Sequence, residues 1–188
     1  MPMLLLAGPA AEPWTVADLK SFLRVEHDAD DAVIASLLTA ARAQIEAATG
    51  KTLLAQRWRL VLDAWPRDGR IVLRGGPLRA LIAVRSYDER GYAHGLDLDS
   101  FVLDLAGGVI ASPPWALPEP GRDVAGIELD LELGYGTAPD DVPAPLRHAV
   151  RTLVAQWYDN RAGAVDASAA VLPGGVAAMI AGYRTVAL

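Results

Sequence analysis

Cysteine is absent from this chain of 188 residues. That excludes a disulfide framework, thiolate metal sites and a cysteine nucleophile. Histidine is scarce: His27, His94 and His148 are the only three, and none stands in a His-x-x-x-His or similar metal-ligand spacing. Solvated or partly packed imidazoles are the expectation for all three. Long hydrophobic runs are missing as well. The opening Met1-Pro2-Met3-Leu4-Leu5-Leu6-Ala7-Gly8 is too short for a signal-peptide core and no Lys or Arg precedes it. No stretch approaches the roughly 20 apolar residues that span a bilayer. A soluble protein without membrane partners is expected, with residues 1–13 as a flexible N-terminal arm.

Positive charge is in deficit too. The formal net charge is −6 and the sequence pI is near 5.0, which argues against a face that grips nucleic-acid phosphates. A protein past which DNA slides without sticking remains compatible with that balance. Catalytic signatures are equally thin. Gly75-Gly76 and Gly107-Gly108 do not lead to a Lys-Ser/Thr or to a third glycine before a helix, and there is no Gly-x-Ser-x-Gly elbow. Asp88, Glu89, Asp97 and Asp99 crowd one turn-rich stretch, but without EF-hand spacing or a closing Glu. The reading is of a protein that is no enzyme, with no catalytic residue, no metal site and no cofactor.

What is present is a foldable globular composition, 52% hydrophobic and 21% charged, long enough for one sizeable core. Thr15 with Asp18 makes a capping-box pattern for a first helix at 15–25, with Trp14 placed to staple onto Leu19. Asp28, Asp30 and Asp31 mark the start of a longer helix, 30–49. In it Val33, Ile34, Leu37, Leu38, Ala41 and Ile45 share one face, and Gly50 stops it. Over 57–136 the period becomes alternating, most strictly in Ile127, Leu129, Leu131 and Leu133 against Glu128, Asp130 and Glu132. Turn-rich separators and short connections predict an antiparallel meander. A third helix, 143–161, opens at Pro143 with Leu146, Ala149, Val150, Leu153, Val154 and Trp157 on its apolar face. After it, 164–188 is apolar, broken by Pro173-Gly174-Gly175, with Val176, Met179, Ile180 and Tyr183 at helical spacing. Trp65-Pro66 and Pro114-Trp115 sit at element ends, where exposure to a partner is expected.

The order of these elements resembles the head–tail connector (adaptor) family of long-tailed bacteriophages, prophages and gene transfer agents. The resemblance is carried by Asp18-Leu19-Lys20 through Leu23-Arg24-Val25, and by Asp30-Asp31-Ala32-Val33-Ile34. It continues in Ala40-Ala41-Arg42-Ala43-Gln44-Ile45-Glu46 with Thr49-Gly50-Lys51-Thr52-Leu53, and in Trp65-Pro66 with Gly76-Pro77-Leu78. Its last segments are Val142-Pro143-Ala144-Pro145-Leu146-Arg147-His148-Ala149-Val150 and Trp157-Tyr158-Asp159-Asn160-Arg161.

The resemblance implies an α+β fold, a small helical bundle with an inserted antiparallel β subdomain: a connector domain over 14–163 and a C-terminal docking tail over 164–188. It also implies a structural subunit of a virion or phage-like particle. Assembled in the bacterial cytoplasm, that subunit joins a ring of about a dozen copies under the portal protein, extends the DNA channel and docks a stopper or other tail-side protein. DNA is then only passing cargo. The tail's Val176, Met179, Ile180, Tyr183 and Arg184 become candidate portal contacts, against the alternative that the tail folds back on its own core. Arg147 and Arg151 become candidates to pair with Asp28, Asp30 or Asp31 of a neighbouring subunit, against the alternative of a solvated face. Two rivals stand beside this reading. One is another head-completion protein, a stopper or tail terminator; the other is a small metal-dependent hydrolase built on Asp88, His94 and Asp97.

Overall fold

Thr15 accepts from the Asp18 N–H while Asp18 accepts from the Thr15 N–H, and that reciprocal cap starts α1 (Val16–Leu23). In the computed structural model, which describes residues 2–160 and 172–184, α1 ends where Arg24 turns left-handed, at φ 58°. The chain forms two compact units, one helical (Ala11–Leu54 and Gly136–Leu188) and one of strands (Met1–Ala10 and Ala55–Tyr135).

The helical unit is organised by α2 (Asp31–Thr49), closed by left-handed Gly50 at φ 66°. Its buried stripe is Ile34, Leu38, Ala41, Ile45 and Thr49, together with Arg42. Val33, expected in that stripe, is 41% exposed, because it lies off the line that repeats from Ile34 through Leu38 to Ala41. α3 (Ala144–Asp159) packs on α2 and buries Leu146, Ala149, Val150, Leu153 and Val154. Trp157 at its end is half-buried. α4 (Gly174–Ile180) packs on α3 and buries Val176 and Ile180 completely. Burying one such side chain contributes about 1.5–3 kcal/mol before the entropy of ordering it.

Within this unit Arg42 is held by two carboxylates. Its Nε donates to Glu12 at 2.7 Å and its Nη1 to Glu46 at 2.7 Å. Glu46 also accepts the Leu53 N–H at 2.8 Å. Burial opposes the guanidinium charge, and Glu12 and Glu46 outweigh it, so the pKa is raised. One buried cation thus ties the segment before α1 to the segment after α2.

The other unit carries eight strands: β1 (Met3–Ala7), β2 (Gln56–Leu62), β3 (Arg70–Val72), β4 (Leu78–Tyr87), β5 (Ala93–Gly95), β6 (Val102–Asp104), β7 (Val109–Ala111) and β8 (Ile127–Leu133). They make a five-stranded sheet in the order β1-β2-β8-β4-β5 and a three-stranded sheet in the order β3-β7-β6. Every strand pair is antiparallel. The order corrects the expected meander: β8, last in sequence, lies between β2 and β4. Its apolar face is fully buried and its acidic face is largely covered, which suits a central rather than an edge position.

A second correction concerns the N-terminus. Met3–Ala7, expected within a flexible arm, is an edge strand with Met3 opposite Leu60 and Leu5 opposite Trp58. The apolar run gains a ladder partner in β2 instead of trailing in solvent. One core cluster unites both sheets, with Leu60, Leu81, Val84, Leu129 and Leu131 from one and Ile71 and Ile110 from the other. Gly69 closes the turn into β3 at φ +67°, where a Cβ would sit 2.0 Å from the Ser112 carbonyl oxygen.

Candidate interaction surfaces

The charged face of the five-stranded sheet is built by register. β8 presents Glu128, Asp130 and Glu132 between its neighbours' arginines. Arg59 Nε donates to Asp130 at 2.7 Å and Arg85 Nη1 to its other oxygen at 2.8 Å. Arg79 Nε holds Glu132 at 2.7 Å. The Arg59 guanidinium, helped by Arg85, keeps the Asp130 carboxyl below the ordinary carboxylate range. The acidic alternation that reads as a solvated strand face is therefore a paired layer, 3.2 Å separating Arg59 from Glu128 as well. A strand sequence alone does not show that its neighbours bring arginines.

The acidic residues at the start of α2 also have partners. Lys20 reaches both Asp28 and Asp31, the latter at 2.9 Å, and Lys20 holds the Asp28 carboxyl below its ordinary range. Asp30 accepts from the Tyr158 hydroxyl at 2.5 Å. Arg147 pairs with Asp140 and stacks 4.4 Å over the Trp14 ring. Arg151 lies 5.0 Å over Trp14 and 4.8 Å over Phe22, and its Nε donates to His148 Nδ1 at 2.8 Å. So the structure does not bring Arg147 and Arg151 onto Asp28, Asp30 and Asp31 within one chain. Trp14, read as a staple for Leu19, is clamped by the two guanidiniums and donates its Nε1–H to the Arg147 carbonyl at 2.8 Å.

Of the five tail residues singled out, Val176 and Ile180 are core. Buried against α3, they are not available as surface anchors. Met179 and Tyr183 are half-buried and Arg184 is exposed. The rest of the expected tail, 164–171 and 185–188, lies outside the described residues.

Asp88 and His94 meet on the exposed β4–β5 hairpin, Oδ2 to Nε2 at 3.0 Å. Asp88 also accepts the N–H groups of Arg90 and Tyr92 at 2.9 Å each, so its carboxylate is the turn's own cap. His94, more than the Tyr92 N–H, holds Asp88 below its ordinary pKa. Asp97 caps the next turn, accepting from the Asp99 N–H at 3.1 Å. Among the described residues no group of three or more His, Asp or Glu is placed to hold a metal ion, and no helix is long and apolar enough to cross a membrane.

The strand unit also exposes apolar side chains. Register puts Val72, Val109, Ala111 and Val102 on the outer face of the three-stranded sheet, opposite the buried Ile71 and Ile110. Val102 is 72% exposed and Trp115, on the loop after β7, is 88% exposed. Trp65 by contrast packs beside Phe101 and donates to the Pro118 carbonyl at 2.8 Å. Leu4, Leu5 and Leu6 of β1 stand about half-exposed at the sheet's edge. That edge escapes a reading that takes the N-terminus as an arm, although an apolar run bounded by Pro2 and Pro9 carries a strand's signal.

Residues 14–91 match the family described as phage gp6-like head–tail connector proteins. Among solved structures, a chain from the neck of an empty gene transfer agent particle, treated with C6 symmetry, is 30% identical over 100% of this chain and 97% of that one, with a TM-score of 0.83. A chain of the native gene transfer agent virion gives 30% identity, the same coverage and a TM-score of 0.81. A chain from the native particle's neck, treated with C12 symmetry, gives 30% identity, the same coverage and 0.77. Among curated proteins none matches the chain by sequence.

Proposed function

The chain belongs to the phage gp6-like head–tail connector family, and from that premise we propose that it is a ring-forming adaptor subunit in the neck of a phage-like particle. The ring binds beneath a portal protein, lengthens the channel through which DNA passes, and offers its far side to a stopper or other tail-side protein. One observation carries the reading: an end-to-end match to chains of gene transfer agent necks, one of them treated with C12 symmetry. A net charge of −6 accords with a wall that does not hold passing phosphates.

The portal-facing contact is assigned to Met179, Tyr183 and Arg184, which keep surface while Val176 and Ile180 anchor α4. Between copies, Asp28 is the acid with most surface to offer a neighbour's Arg147 or Arg151, its side chain being 90% exposed beyond its bond to Lys20.

Native mass spectrometry of the protein mixed with the portal encoded beside it tests both parts. The expected result is a monomer that adds to the portal as a ring. A Met179→Asp, Tyr183→Asp variant is expected to stay folded and fail to add. Truncation after residue 163 is a poorer probe, because it also removes the buried Val176 and Ile180. No association by the full chain sinks the adaptor reading.

A further inference from the structure

The five-stranded sheet ends in two unlike edges, β1 and β5, and among the described residues no further strand is laddered to either. We propose that these edges meet between copies, the β1 edge of one subunit adding to the β5 edge of the next, so that the sheet runs on from subunit to subunit. The proposal rests on the ring reading above and names the contact that closes the ring.

Backbone polarity comes first. The Val61 N–H donates to the Pro2 carbonyl at 3.1 Å, and Leu4 stands opposite Arg59. Because antiparallel ladders alternate, Leu4 turns its N–H and C=O toward β2, while those of Met3 and Leu5 face away from the sheet. On the other edge the Asp88 N–H donates to the Tyr92 carbonyl at 3.1 Å and the Leu96 N–H to the Val84 carbonyl at 2.9 Å. By the same alternation His94 faces β4, and Ala93 and Gly95 direct their N–H and C=O outward. Each edge therefore offers two outward residues spaced by one.

Direction comes next. Four successive antiparallel pairings leave β1 and β5 running the same way. Copies related by a ring's rotation keep the sense of each strand along the ring axis, so a ladder that joins β5 of one copy to β1 of the next is of the parallel kind, the twist of the sheet carrying through the junction. In a parallel ladder one residue bonds the two that flank its opposite number. Leu5 placed opposite His94 thus reaches the Ala93 carbonyl with its N–H and the Gly95 N–H with its C=O.

Side-chain parity agrees with that register. Met3 and Leu5 lie on the sheet face of Leu60 and Trp58, and His94 lies on the face of Ser86 and Ile127, which is the same one. Leu5 opposite His94 also sets Met3 opposite Tyr92, a residue 66% exposed. Beside Met3 a groove of about 290 Å³, lined also by Leu60, Val72, Leu73 and Arg74, is open. A neighbour's Tyr92 ring fits such a groove, its hydroxyl toward Arg74 and its ring on the aliphatic walls. Finally, β1 lacks the charges and prolines that guard an edge: Met3–Ala7 contains neither, Leu4, Leu5 and Leu6 are all exposed, and the one irregularity in its ladder lies beyond Leu5. A sheet edge left in that state is a template for strand addition.

The missing cysteines make the test clean. A Leu5→Cys, His94→Cys variant, assembled on the portal and oxidised, is expected to give a ladder of covalent multimers on a non-reducing gel, while either single variant gives none. Leu5→Pro removes an outward N–H that β2 does not use. It is expected to keep the wild-type circular dichroism and melting curve while losing the ring species in native mass spectra. Rings formed equally by wild type and Leu5→Pro, with no ladder from the cysteine pair, overturn this contact and leave the ring reading standing. Leu5→Pro rings that form but no longer recruit the tail-side protein overturn it too, and assign β1 to that partner. A wild type that never forms rings on the portal overturns both.

Discussion

The helical and strand units share one chain but dispose of their apolar side chains differently. Among the described residues the helical unit leaves only Phe22 and Val33 as exposed large hydrophobic groups, and the Phe22 ring lies under the Arg151 guanidinium. The strand unit exposes Leu4, Leu5, Leu6, Val72, Val102 and Trp115, along with several others. A helical stripe is consumed by packing on the next helix. A three-stranded sheet packed on one side leaves its second face to solvent or to a partner. Among the described residues the helical unit thus covers most of its large apolar side chains itself, whereas the strand unit carries apolar surface of the kind that marks association sites.

Charged groups, by contrast, are paired within both units, and three substitutions test how far the contrast in apolar surface goes. Arg42→Met should have the largest effect, about 3–5 kcal/mol of lost stability, because it leaves Glu12 and Glu46 partly buried without their cation. Urea denaturation followed by circular dichroism measures it. A loss well under 1 kcal/mol would mean the helical unit does not depend on this triad and would break the contrast drawn above.

Asp130→Asn comes next, at about 1.5–3 kcal/mol, since the neutral amide no longer answers the charges of Arg59 and Arg85. This effect has a pH signature. The folded-state pKa of Asp130 is depressed, so its stabilisation is complete above the unfolded value near 3.9 and is lost as pH falls through the lower folded value. The gap between wild type and Asp130→Asn should therefore be full at neutral pH and should close on acidification below about pH 4. A gap independent of pH would exclude an electrostatic origin.

Trp115→Ser should be the smallest in stability, within about 0.5 kcal/mol, because the ring is 88% exposed. It should nevertheless weaken assembly with the tail-side protein by tenfold or more if the exposed face is a contact. A clear drop in melting temperature would instead show that the loop supports the fold.

Local order was legible in the sequence because its causes are local. The Thr15–Asp18 cap, the stripe from Ile34 to Ile45, the Gly50 stop and the alternation of Ile127–Leu133 each act within a few residues. The helices and most strands, the α+β class and the family's order of elements followed from them. Other features depend on partners far along the chain, and only the tertiary structure decided those. Residues 3–7 became a strand because β2 offered a ladder fifty or more positions away. β8 took the centre of its sheet because both neighbours supply arginines to its acidic face. Trp14 went under Arg147 and Arg151, and Val176 and Ile180 went into the core. Periodicity tells which face of an element avoids water, but an edge, a register or an ion pair is a relation between two segments, and it is fixed only when the chain brings them together.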